Sequence, residues 1–138
     1  MGWAVLADLV RQPSSRVRSA TIALLLEHPE YAEQMPAALS KLRSKNRTTL
    51  KLYYTAAVLL QRIYQKELKQ YQNNRFIELP NLYGKELLPL AAPDSHEALI
   101  MLGRLHQELS GLQINWVGTY KNVLNHLLRR SVRLIQVQ

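Results

Sequence analysis

Cysteine is absent from the chain, which removes disulfides, thiolate metal sites and a cysteine nucleophile together. A disulfide-built secreted scaffold is therefore excluded, and a reducing compartment, the cytoplasm, is the expectation. Glycine is scarce: five well-scattered residues cannot form a glycine-rich phosphate loop, and no G-x-S-x-G nucleophile turn occurs. Uncharged runs stay short. Residues 52–61 make ten in a row and residues 109–120 twelve, against the ~20 apolar residues a spanning helix needs, so no membrane span is expected. The opening Met1-Gly2-Trp3-Ala4-Val5-Leu6 lacks the basic start and small-residue cleavage site of a signal peptide. Leu6 stands where N-myristoylation requires serine or threonine. Acids are also in deficit, 10 against 18 lysines and arginines, for a formal charge of +8. Such an excess opposes compaction and attracts acidic partners.

What the chain has is leucine, 26 of 138 residues, within an apolar fraction of 47% and with a single phenylalanine. Leucine keeps most of its rotamer freedom in a helix and packs well along one. The length suits one domain, residues 1–138, burying roughly 70% of the surface its unfolded form exposes. Helical spacing recurs along the chain. A short amphipathic helix over residues 3–10 carries Trp3, Leu6 and Val10, with Val5 and Leu9 beside them. After Pro13, Ser14 or Ser15 can cap a helix reaching about Glu27 and burying Val17, Thr21 and Leu24, with Ala20 and Leu25 alongside. Arg16 and Arg18 near its start oppose the helix dipole, a small cost that hints at another use. Pro29 and Pro36 suit first turns. A break is expected at residues 44–47, with Thr48 or Thr49 capping the longest helix, carried to about Gln72. Asp94-Ser95-His96-Glu97 has the form of a capping box, opening a helix that buries Leu99, Leu102, Leu105 and Leu109 before Gly111 stops it. Asn115 caps a last helix with Trp116, Tyr120, Val123 or Leu124, Leu127 or Leu128, and Val132 inward. The expected fold is all-α: a compact bundle of five to six helices with one irregular, proline-containing connection over about residues 73–93.

The basic residues carry the main functional signal. Lys41, Arg43, Lys45, Arg47 and Lys51 fall within eleven positions with no acid among them. A second group, Arg129, Arg130 and Arg133, shares one face of the last helix with His126. Held on adjacent turns, such cations can neutralise several phosphates at once, and Ser44, Asn46, Thr48 and Thr49 add neutral donors. A short helix, a turn and a longer helix also share the outline of a helix-turn-helix. The structural alternative is that helix C-termini favour basic residues anyway and connecting loops are charged for solvation. Tyr53, Tyr54, Tyr64 and Tyr71 along the long helix could be a stacking platform or a core edge; the second is favoured for Tyr53 and Tyr64.

Catalytic and metal chemistry is not expected. His96-Glu97 begins like a zinc-protease helix but has no second histidine. His106 and Glu108 diverge by about 200° around a helix. All-helical ribonucleases that pair an arginine with a histidine across four to six intervening residues find no match, because Arg104 is too close to His106 and lysine stands at 121, before His126. The expectation is a non-catalytic binding or regulatory module without a cofactor or small-molecule substrate. Its basic face would meet an acidic protein partner or a second copy, aided by an apolar patch at Leu82, Leu87 and Leu88. The alternative is a nucleic-acid-binding regulator using the two basic clusters.

Overall fold

In the computed structural model, which describes residues 2–90 and 94–137 with side chains to residue 129, every regular element is helical and no strand occurs among the described residues. The axis of the fold is α5 (Ser44–Ile63), buried around its whole girth from residue 52 to 61. A helix apolar on all sides must be surrounded, and α5 is. The helices α3 (Ala20–Glu27), α8 (Ser95–Ser110), α9 (Trp116–Val137) and α1 (Gly2–Val10) all pack on it. One apolar cluster joins them, including Leu6, Ile22, Leu50, Leu60, Leu102 and Leu124.

The chain is divided into more helices than the five or six expected, each break having a local cause. The segment after Pro13 splits into α2 (Ser15–Arg18) and α3 at Ser19, whose hydroxyl donates to the Arg16 carbonyl at 2.8 Å, a back-bonding that bends helices. At Tyr64 (φ −108°, ψ 32°) the long helix is interrupted and resumes as α6 (Gln65–Gln72). A 3₁₀ turn at Pro29–Gln34 leads into α4 (Met35–Ser40), and α7 (Gly84–Leu87) is one turn.

Several expected boundaries shift. Instead of a break, residues 44–47 form the first turn of α5: lysine and arginine are good helix formers and no glycine or proline intervenes. Thr48 and Thr49 thus lie inside the helix, donating to the carbonyls of Ser44 and Lys45 at 3.2 and 3.0 Å. Ser14 occupies a cap position but makes no capping bond. In the α2–α3 segment the buried residues are Ser19, Thr21, Ile22, Leu25 and Leu26, whereas Val17 and Ala20 are exposed.

The α8 termini follow their sequence signals. Asp94 Oδ1 accepts from the His96 amide at 2.9 Å, and Gly111 closes the helix at φ 69°. Asn115 Oδ1 accepts from the Gly118 amide at 3.1 Å at the start of α9. The inward face of α8, however, is Ala98, Leu99, Leu102, Gly103 and His106, with Leu105 half-buried and Leu109 52% exposed. Gly103 sets this rotation: a Cβ there would lie 2.6 Å from Val117 Cγ2, so α9 approaches α8 over bare backbone. On α9, Trp116, Tyr120, Leu124 and Leu127 point inward; the Val132 side chain lies outside the described residues.

The irregular connection is described to residue 90. It is clasped to α5 by Gln61, whose amide donates to the Ile77 carbonyl at 2.8 Å and accepts the Leu79 N–H at 2.7 Å. The Tyr54 hydroxyl donates to the Pro80 carbonyl at 2.7 Å. A side-chain amide here supplies the donor and acceptor a neighbouring strand would offer, so the extended backbone need not leave its polar groups unpaired. No described helix is long and apolar enough to cross a membrane.

Candidate anion-binding ridge and cavity

Arg43, Lys45 and Arg47 lie on the outer side of the α4–α5 junction, all exposed and without an ion pair among the described residues. Lys41 is exposed as well, its ammonium 5.6 Å from the Trp3 ring. Lys51 is not part of this ridge. It pairs with Glu86 at 2.8 Å and lies 5.4 Å from the Tyr83 ring. Arg129 is exposed but stands thirteen residues beyond Trp116, about 20 Å along α9. The same helix also packs on α6, which continues α5 away from Ser44. Arg129 therefore does not join the ridge; Arg130 and Arg133 have side chains outside the described residues.

The first turn of α5 opens into a cavity of about 550 Å³ between α1, the α1–α2 turn and the end of α8. Arg11, Arg18 and Lys45 line it, and among the described residues no carboxylate does. The two arginines are anchored on main-chain carbonyls, which orient them without cancelling their charge. Arg18 donates to the carbonyls of Gln12 and Pro13, both at 2.8 Å, and Arg11 to that of Lys41 at 2.6 Å. Arg11 has one carboxylate neighbour, the exposed Asp8 at 3.5 Å. The helix start adds to the positive field. Arg43 at the cap position supplies no side-chain acceptor, the first turn has no acid, and Ser44, Lys45 and Asn46 face the cavity. The first amides of a helix have no intrahelical acceptor, and the dipole makes that end attractive to anions.

The cavity floor is His106, 3% exposed. Its ring stacks on Trp116 with centroids 3.6 Å apart and planes 6° from parallel, and Tyr53 meets it edge-on at 5.2 Å. Burial pushes its pKa down to about 3, with the nearby Arg18 charge adding to the effect, so the imidazole is neutral at pH 7. The Tyr120 hydroxyl lies 2.6 Å from Nδ1. Burial also raises the pKa of Tyr120, which keeps its proton. A phenol is a stronger donor than a neutral imidazole, so Tyr120 donates to Nδ1 and the ring proton sits on Nε2. That N–H has no acceptor among the described residues and is left to the cavity. Burial likewise raises the Tyr53 pKa; Arg18 approaches closely enough to offset part of this, yet not in hydrogen-bond geometry.

The tyrosines are core rather than platform: Tyr53 and Tyr54 are fully buried, and Tyr64 and Tyr71 half-buried. Of the three leucines expected to form an apolar patch, Leu88 belongs to the core and Leu87 packs against it. Only Leu82, 45% exposed, presents a surface. Leu79, Leu87 and Leu88 turn inward where Gln61 and Tyr54 hold the connection against α5, whereas Leu90 is 89% exposed. A helix-turn-helix use of α5 would be confined to its first turns, since the helix is enclosed from residue 52 onward. No group of three metal-ligating side chains occurs among the described residues.

Arg11, Arg18 and His106 were not among the site residues expected. The cost of Arg18 at a helix start and the donors expected at Ser44, Lys45, Asn46, Thr48 and Thr49, which all line the cavity, were the sequence signals pointing to it; Arg11 and His106 left none, because their placement depends on packing between distant segments. Fold and site define an all-helical protein with a cationic cavity and ridge at one end of its central helix. Compared with protein families, curated proteins and solved structures, the chain matches none.

Proposed function

We propose that this protein is a non-catalytic helical binding module whose cationic ridge, Lys41, Arg43, Lys45 and Arg47, receives an acidic protein partner. The observation that carries the reading is uncancelled charge: Arg43, Lys45 and Arg47 stand in solvent with no ion pair among the described residues. Leu109 and Leu112, 52% and 43% exposed on the adjacent cavity wall, supply apolar contact in place of Leu87 and Leu88. The non-catalytic character is supported by His106, a neutral, deeply buried imidazole bonded to a phenol rather than a carboxylate. Duplex reading is the weaker alternative, because only the first turns of α5 are accessible.

The test is fluorescence anisotropy with a polyglutamate peptide and a short DNA duplex, at about 50 and 200 mM salt. The peptide is expected to bind at the lower salt and to lose at least about tenfold in affinity on combining Arg43→Glu with Arg47→Glu. Absence of peptide binding, or binding indifferent to the double substitution, rejects the ridge. Tight duplex binding with a log–log salt slope of several times about −0.9 would transfer the role to nucleic acid.

A further inference from the structure

We propose that the cavity at the start of α5 binds a small organic phosphate monoester with an apolar or aromatic body. This inference goes beyond the ridge and stands without it, since the ligand would enter the fold rather than dock on its outside. Four observations converge. The volume, about 550 Å³, falls within the range of small-molecule pockets and far exceeds that of a bare phosphate. The polar lining offers Arg18 and Lys45 together with the first amides of an uncapped twenty-residue helix, and no carboxylate among the described residues lines the space to repel an anion. The lining also includes the apolar side chains of Val10, Leu52, Leu109 and Leu112. At the inner wall, His106 is 97% removed from solvent, and no acceptor for its Nε2–H occurs among the described residues, which leaves that donor to the cavity the ring lines.

These features assign the parts of a ligand. A dianionic head seats on the helix start between Arg18 and Lys45, where amides and cations supply more donors than a carboxylate could use. The body lies along Leu109 and Leu112, covering apolar surface that otherwise faces water. The Nε2–H of His106 serves a bridging or body oxygen. Because Arg18 is held by two carbonyls and the imidazole by Tyr120, the site is organised before the ligand arrives, which reduces the ordering cost of binding.

The experiment is calorimetric titration of the full chain with phenyl phosphate, inorganic phosphate and phenol. Phenyl phosphate is expected to bind at least about tenfold tighter than inorganic phosphate, and phenol not to saturate. Lys45→Glu, at an exposed position that should leave folding intact, is expected to weaken phenyl phosphate at least about tenfold. Arg47→Glu, on the ridge but outside the cavity lining, should change it by less than about twofold. Failure of phenyl phosphate to saturate by about 10 mM, equal affinity for phenol, or indifference to Lys45→Glu would each overturn the proposal. Phenyl phosphate binding without polyglutamate binding retains the cavity and discards the ridge; the reverse discards the cavity alone.

Discussion

An imidazole between an indole and a phenol, with a guanidinium close by, has no room for a second proton. His106 ordinarily would titrate near 6.5 and here is pushed down to about 3. Between those values the unfolded chain holds a proton that the folded one refuses, so acid favours unfolding. The stability this residue contributes is complete above about pH 6.5 and is lost as pH falls toward 3, on the order of a few kcal/mol. The thermal midpoint of the native chain is therefore expected to fall between pH 6.5 and 4, and His106→Gln to flatten that decline. Identical slopes would show that the ring is already charged or hydrated in the fold. Nothing in the sequence marked this histidine as buried. Its place on α8 continues the strip of Leu99, Leu102 and Gly103, but leucines at 105 and 109 offered an equally regular alternative.

Among the elements, α8 and α9 show what was legible and what was not. Their ends were, because caps and stops act through neighbours in sequence: Asp94, Gly111 and Asn115 each do what their side chains or backbone freedom dictate. The buried face of α8 was not, because it is decided by the glycine that admits Val117. The start of α5 was missed for a related reason: residues 44–47 look like a solvated turn, yet the helix continues through them without a cap. Gly103→Ala tests the close approach. The added methyl meets a branched, stiff Val117 side chain and the Val117 backbone nitrogen 3.3 Å away. A loss of about 1–3 kcal/mol is expected in denaturant unfolding, typical of overpacking; a neutral result would mean that α8 and α9 part at little cost.

Across the whole molecule, the site is assembled from positions 11, 18, 45 and 106, far apart in sequence and joined only once α5 is enclosed. Sequence proximity revealed the ridge and could not reveal the cavity. The same enclosure holds the irregular connection, since Gln61 reaches from the centre of the core to Ile77 and Leu79. Gln61→Leu removes both bonds and strands a buried Leu79 amide, costing about 1–3 kcal/mol. Hydrogen exchange at Leu79 should accelerate at least about tenfold while the amides of α5 stay protected. Equal acceleration in both would indicate that the connection and the core open together.

The stack beneath the cavity has one more consequence. Trp116 lies flat on the ring that forms the cavity floor, and Trp3, the other tryptophan, sits on a separate helix beneath Lys41. The indole emission of a chain carrying Trp3→Phe would thus come from a single fluorophore one ring removed from the cavity, giving the molecule a built-in optical gauge of whatever occupies it.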